Sequence, residues 1–518
     1  MPLIPRKLTR NQGPYASDWA KMVNVANSLK PRYAPGVLTA HTVHGVFRKF
    51  QKPVMPALPT PSPDSPTQFK PSVNGNVYKI IVRGVSTGAG LVEDVFICGN
   101  FSWYGTETVG GVSSQYSRKG FARLNAGLGL TPSAWWFQPD DPTMLLGVQV
   151  TGACMVEHTT PGTFDSIFTC GLFNNVNDGG IDPGGGGVGT GGTQTRAAML
   201  DLQNGQLYVD FFDAGTGMTT FGSQDSRSGC FSLLVDPLIS GAGTKSLIML
   251  YGISGWNGND VIGMGLFSTD GTWIDTNGGA GTHYGWTSPN SGDPGPTGLP
   301  MCPVVMVPPN GGYYYVPTDT QASWKGVGSA GASNNVVFLI KKNGDLDTAF
   351  DANVGTAADD TITHVAVQSS GKAIVIGKFT LWNGTSVGRI VRLNTDGTLD
   401  STFNSGGSGF TAPNPLWCEV QDDDKIIVAG SFTGYNGSYP NYGNLVRLNS
   451  NGTLDSTFNA NFVIPSGLSV TNCAVKANGD VIATGFNITM TVNDGFGGFK
   501  NRSGIALFRS DGFCYGPP

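Results

Sequence analysis

The sequence predicts an all-β fold, a seven-bladed β-propeller of four-stranded blades, preceded by a short helix, an extended amino-terminal arm and a proline-rich linker. Three observations carry that expectation. A unit of roughly fifty to seventy residues recurs seven times between Tyr78 and Phe513, and self-similarity at such a period marks propellers, solenoids and arrays. Glycine (76) and proline (32) are abundant while only 13% of residues are charged, which is the composition of a turn-rich β protein. Hydrophobic residues make up 39% of the chain without a run of eighteen, so a core is available and no membrane span is expected.

Residues 1–52 form a basic arm. Nine Lys/Arg stand against one acid, Asp18, for a net charge of +8, which leaves −13 on the remainder. Opposite signs on arm and body point to different partners for each. Ser17 or Asp18 caps a short helix that places Trp19, Met22, Val23, Ala26 and Leu29 on one face before Pro31 ends it. Gly36 to Phe50 reads as extended chain. Trp19, Met22, Val23, Arg32, His41, His44, Arg48 and Lys49 are the residues expected to dock the arm on a larger assembly. His41 and His44, three apart in extended chain, point to opposite faces and so disfavour a shared metal. Met1 to Lys7 lacks the apolar stretch of a secretory signal, so synthesis in a cytoplasm without export is expected.

Residues 53–71 are a linker, with prolines at 53, 56, 59, 61, 63 and 66. In polyproline geometry, at about 3.1 Å per residue, the fourteen residues from Pro53 to Pro66 hold the arm roughly 40 Å from the body.

The body, residues 72–518, parses into four strands per repeat. In the fifth copy these are Thr361 to Gln368 (A), Ala373 to Phe379 (B), Gly388 to Asn394 (C) and Leu399 onward (D). Asn-Gly or Asp-Gly marks the C–D turn at 204–205, 270–271, 343–344, 396–397, 451–452 and 511–512. A two-residue hairpin with positive φ at both positions is the expectation there. Strand B gives an independent register through its glycine, as in Ile97-Cys-Gly-Asn-Phe101, Val375-Ile-Gly-Lys-Phe379 and Val428-Ala-Gly-Ser-Phe432. Copy four is degraded to Tyr313-Tyr-Tyr-Val-Pro317. The last copy lacks a fourth strand, so closure is expected to borrow Val77 to Val85 or to leave a short blade.

Val-Arg-Leu-Asn-x-[Asp/Asn]-Gly-Thr-Leu-Asp-Ser-Thr-Phe at 391–403 and 446–458 resembles the delta-sixty repeat, a β-propeller repeat of bacterial and phage-associated proteins. The resemblance implies the fold and assigns no chemistry to particular residues. Separately, Pro35-Gly-Val-Leu-Thr-Ala-His-Thr-Val-His-Gly-Val-Phe47 resembles the amino-terminal anchoring region of tailed-phage virion proteins.

Recurrence separates scaffold from site. Trp256-Asn-Gly258, Trp382-Asn-Gly384 and Tyr435-Asn-Gly437 occupy one position after strand B and read as packing, and Arg123, Arg392, Arg447, Asp347, Asp400 and Asp455 recur likewise. Of the eight cysteines, Cys98 and Cys170 share one repeat position and Cys154, Cys418 and Cys473 another, as buried thiols do. Insertions do not recur. Trp103 to Arg118, Asn174 to Thr195 and Asn487 to Ser503 (B–C) and Thr131 to Thr143 and Asp275 to Pro300 (D–A) gather on one face, the distribution of a binding surface. On that face Trp135, Trp136, Tyr435, Tyr439, Asn441 and Tyr442 combine aromatic area with amides, the chemistry of a glycan or protein contact. Asn177 to Gly192, with nine glycines, reads as a flap.

No catalytic residue, metal or cofactor is expected. The chain has four glutamates and no non-repeating carboxylate pair that can be placed about 5 to 9 Å apart, as glycoside hydrolysis requires. Asp422-Asp-Asp424 reads as a solvated turn, with a calcium site as the alternative. The expected function is that of a bacteriophage virion protein, tail fibre or spike-like, present in multiple copies. Its arm meets other virion proteins and its propeller a host-surface glycan or protein, without nucleic acid. A capsid decoration or tail component without receptor binding, a polysaccharide-degrading enzyme and a bacterial surface adhesin are the alternatives.

Overall fold

The computed structural model describes residues 71–87, 90–108, 111–117, 120–124, 139–140, 149–156, 166–172, 175–176, 197–201, 218–219, 248–251, 255–256, 259–260, 264–267, 286–287, 305–306, 313–317, 323–324, 327–328, 337–341, 346–438, 444–459, 469–493 and 499–512. The basic arm with all its anchoring residues, and the linker as far as residue 70, lie outside the described residues. Pro71 belongs to the body, where Pro71–Val73 pairs with Trp103–Thr108.

Among the described residues each of the seven repeats holds a main antiparallel sheet whose strands follow the chain, with smaller two- and three-stranded sheets formed by the connections. Sheet I comprises Val77–Thr87, Gly90–Gly99 and Phe121–Leu124. Sheet II comprises Gln149–Val156, Ser166–Leu172 and Ala197–Asp201. Sheet III pairs Ile248–Tyr251 with Met264–Phe267, and sheet IV holds Val305–Met306, Tyr313–Pro317 and Val337–Lys341. Sheet V is Ile362–Val367, Ala373–Gly377 and Ile390–Leu393. Sheet VI is Pro415–Val420, Ile426–Gly430 and Leu445–Leu448. Sheet VII is Val470–Val475, Val481–Asn493 and Phe499–Phe508. The fold is all-β and propeller-like.

Three expectations need correction. The first is the fourth strand. After the turn the chain makes only a single bridge, Ile340 to Leu346, Leu393 to Leu399 or Leu448 to Leu454. It then coils into a helix over Thr348–Val354 and over Ser456–Asn459. The aspartate that follows the leucine explains this: Asp347 Oδ1 accepts the N–H groups of Ala349 and Phe350, both at 3.1 Å. That is the N-cap bond that starts a helix. The second is the C–D turn, where only the glycine has positive φ (Gly397 +90°, Gly452 +87°, Gly512 +88°). This is a type I turn closed by a left-handed glycine, not a two-residue hairpin. The third concerns two insertions. Trp103 to Arg118 holds a hairpin, Trp103–Thr108 against Gly111–Ser117, and Asn487 to Ser503 is the extension of the last hairpin of sheet VII.

The core is a chain of interfaces between neighbouring sheets. Phe338, Ile340, Val365 and Val375 join sheets IV and V, and Ile374, Ile376, Cys418 and Val428 join V and VI. Ile427, Ala429, Cys473 and Ala483 join VI and VII, and Phe96, Cys98, Ala153 and Ile167 join I and II. Sheet VII packs against sheet I through Ala474, Ile482, Ile505 and Leu507 against Val77, Ile80, Val82 and Ile97. First and last sheets are thus neighbours. Val77–Thr87 is not borrowed by the last sheet; it stays paired to Gly90–Gly99 and meets sheet VII face to face.

The recurring strand-B glycine has a steric cause. A Cβ at Gly377 would collide with the Thr361 carbonyl oxygen, and at Gly430 it would come within 2.5 Å of that of Asn414. Those carbonyls accept the N–H of Lys378 (2.8 Å) and Ser431 (2.9 Å). The same close approach forces a bulge into the first strand, between Ile362 and His364 and between Pro415 and Trp417. Among the described residues no helix is long and apolar enough to cross a membrane.

Candidate functional site

The recurring polar residues form clamps between sheets. Arg447 donates from Nε to Asp455 Oδ2 (2.8 Å), from NH1 to the Ser510 carbonyl in sheet VII's turn (2.6 Å) and from NH2 to Thr457 (3.3 Å). Its guanidinium lies 4.6 Å from the Phe458 ring centroid. Arg392 repeats the pattern with Asp400 (2.9 Å), Ser450 O (2.7 Å), Thr402 (3.4 Å) and Phe403. Burial alone raises the Asp455 carboxyl, but Thr457, Arg447 and Lys425 outweigh it and bring it down to about 2. Asp400 follows the same pattern: burial opposes, yet Lys372, Thr402 and Arg392 hold it well below the usual carboxylate range. These carboxylates are locked as anions in a scaffold.

The aromatic-Asn-Gly position is scaffold as well. Asn383 and Gly384 (φ +48° and +75°), like Asn436 and Gly437 (+50° and +75°), have the paired positive φ of a type I′ turn. Trp382 and Tyr435 beside them are fully buried. Tyr435 therefore offers no surface to a ligand: its hydroxyl donates to the Gly452 carbonyl (2.6 Å) and its ring packs 4.6 Å from Phe410. The other candidate contacts, Trp135, Trp136, Tyr439, Asn441 and Tyr442, lie outside the described residues. Asp424, φ +64°, takes the left-handed turn position held by Gly371 and Gly479 elsewhere. Its carboxylate accepts from Ser369 N (2.7 Å) and Oγ (2.5 Å), a bond between sheets.

A different constellation emerges from the first strands, which are consecutive neighbours through V, VI, VII, I and II. The residue after each bulge pairs with the residue preceding the recurrent glycine, and at this one position stand Lys79, Gly152, His364, Trp417 and Asn472. Their side chains lean onto the neighbouring strands. His364 Nδ1 lies 3.4 Å from both the Cys418 backbone nitrogen, whose N–H donates to it, and the Cys418 Sγ, and the His364 ring packs 3.9 Å from Trp417. Asn472 Nδ2 donates to the Tyr78 carbonyl (2.9 Å). Lys79 Nζ lies 4.8 Å from the Trp417 ring centroid. Buried thiols surround this layer. Burial pushes Cys98 up to about 12 against the pull of Lys79, and burial with Glu419 raises Cys473 well above its ordinary value, again with Lys79 opposing. The Trp417 Nε1 and Asn472 Oδ1 atoms are buried without a hydrogen-bond partner among the described residues.

Sequence reasoning passed over this layer because it sought departures from the repeat in loops, whereas these lie inside a strand. The signal was present: counting back across the A–B hairpin from the strand-B glycine reaches five positions that share no chemistry. The same register shows Cys154 one residue beyond the position of Cys418 and Cys473, since Cys154 pairs with Phe168 and Ala153 with Thr169.

These sheets, clamps and turns define a class, the β-propeller-like repeat proteins. Within it, residues 368–403 and 421–458 match a family model described as a domain of unknown function (DUF5122) beta-propeller. No curated protein matches the chain. Similar solved structures include the WD40 beta propeller domain of Doa1, at 10% identity over 81% of this chain and 93% of that one, with a TM-score of 0.38. The Dos1 propeller matches at 10% identity over 85% and 96%, with a TM-score of 0.38. YCF48 bound to D1 peptide matches at 11% identity over 72% and 86%, with a TM-score of 0.33. Likenesses this distant add nothing about function.

Proposed function

We propose that the chain is a non-enzymatic binding protein, a seven-bladed propeller held on a bacteriophage particle by the arm of residues 1–52 and presenting its B–C and D–A face to a host-surface glycan or protein. The ring reading draws support from the packing of sheet I against sheet VII and from the five consecutive sheet interfaces. The observation that carries the binding reading is the pair of hairpins at Trp103–Ser117 and within Val481–Phe508, which continue beyond their sheets where sheets III, V and VI make shorter connections. Hairpins hold a surface rigid, as a binding face requires. Against catalysis stands the fate of the recurring carboxylates: Asp400 and Asp455 are consumed by Arg and Lys clamps. Trp135, Trp136, Tyr439, Asn441 and Tyr442 remain the candidate contacts on that face.

Mass spectrometry of purified phage particles tests the location, with peptides from this chain expected alongside the structural proteins. Their absence overturns the virion reading. Glycan-array binding by the full chain, lost in a Trp135→Ala/Trp136→Ala variant, distinguishes a receptor-binding fibre from a decoration or tail component that only packs against neighbours.

A further inference from the structure

We propose that the first-strand layer binds a small hydroxycarboxylate, its carboxylate held between Lys79 and Trp417 and its hydroxyl donating to Asn472. The proposal is independent of the particle on which the chain resides. It begins from a position that the repeat leaves chemically open, since sheet II fills it with Gly152. Scaffold demands therefore do not explain why the other described sheets place a lysine, a histidine, a tryptophan and an asparagine there.

Part of that chemistry is used within the protein. The first strand of each sheet leaves one edge without a pairing strand, and such an edge needs capping. His364 caps the Cys418 N–H and Asn472 caps the Tyr78 carbonyl. What remains is a complementary set. Lys79 brings an ammonium with no ion pair among the described residues, 4.8 Å from the Trp417 ring centroid. Trp417 brings a buried N–H, and Asn472 a buried oxygen, neither with a hydrogen-bond partner among the described residues. Because Asn472 Nδ2 already donates to Tyr78, the residue preceding Lys79, the amide orientation is set and Oδ1 calls for a donor.

Two donors, one of them cationic, and one acceptor specify the ligand. The Trp417 N–H sits on the rim of a ring whose face Lys79 covers, so one carboxylate spans both donors. A hydroxyl on the adjacent carbon supplies the proton that Asn472 Oδ1 needs. His364, packed on the same indole at 3.9 Å, leaves no free ring face for stacking, which argues for a small acid over a sugar ring laid flat. A water molecule satisfies the N–H and the amide oxygen but brings no charge to the Lys79 ammonium, which has no ion pair among the described residues.

The test uses the full chain and three probes, glycolate, acetate and ethylene glycol, at ionic strength matched with chloride. Binding is followed by ligand-observed NMR and by thermal midpoint. Saturable binding is expected in the order glycolate, acetate, ethylene glycol. Lys79→Met weakens both acids by about ten- to a hundredfold, the value of one charge-assisted hydrogen bond. Trp417→Phe weakens both acids, and Asn472→Leu abolishes the preference for glycolate. Circular dichroism verifies that each variant folds. No saturable acid binding by the wild-type chain, or equal affinity for glycolate and ethylene glycol, overturns the proposal without reference to any variant. So does a folded Lys79→Met that binds acetate as tightly as the wild type.

Discussion

A single arginine illustrates how this chain uses its few charges. Arg447 and Asp455 are 7% and 5% exposed, so their pairing is a buried one, and removing either partner leaves an uncompensated charge behind. The guanidinium also reaches across to Ser510 in the next sheet, which makes the pair a fastener between sheets. The Asp455 carboxyl, at about 2 when folded against an ordinary value of 3.8, contributes stability that is complete above about pH 4 and lost as pH falls toward 2. Asp455→Asn is therefore expected to lower unfolding free energy by about 2 kcal/mol at pH 6. In urea titrations at successive pH values the gap between variant and wild type closes below pH 4. A gap that persists at pH 2 would show that packing, not the carboxylate charge, carries the effect.

At the scale of elements, what was legible in the sequence is what steric rules alone determine. The strand-B glycine and the Asn-Gly turn after Trp382 or Tyr435 announce themselves because no other residue meets the Thr361 or Asn414 carbonyl so closely or takes the positive φ of Gly384 and Gly437 so readily. The fourth strand was misread because Leu-Asp-Ser-Thr-Phe alternates as a strand does, while its aspartate competes locally for backbone N–H groups and turns the chain into a helix. The layer of Lys79, His364, Trp417 and Asn472 escaped because departures from the repeat announce themselves in loops, whereas these stand inside a strand, on the hairpin side of the bulge. The cap makes its own prediction. Asp347→Ala strips the acceptor from Ala349 and Phe350 N–H and is expected to cost about 1 kcal/mol. Asp347→Ser, which keeps a capping oxygen, recovers most of it in the same denaturation assay. Equal loss in both variants would assign the effect to the 3.9 Å contact with Lys341 instead.

For the whole molecule, the decisive contact joins residues almost four hundred positions apart. Asn472 bonds Tyr78, Gly504 closes on Val73, and Lys79 lies over Trp417, so the beginning and end of the body stabilise one another. In a linear array the terminal sheets would each need a polar outer face. Here the outer faces of sheets I and VII are apolar and buried, with Val77, Ile97, Ile505 and Leu507 each 1% exposed or less. Deleting residues 1–70 touches none of these contacts and is expected to leave the thermal midpoint of the body unchanged. Deleting residues 1–124 removes sheet I and uncovers Ile482, Ile505 and Leu507, so loss of cooperative unfolding and aggregation are expected. Scanning calorimetry with light scattering on the two truncations separates the outcomes. A soluble, cooperatively melting chain that begins at residue 125 would mean that sheet VII is stable on its own and that closure through sheet I is dispensable to the fold.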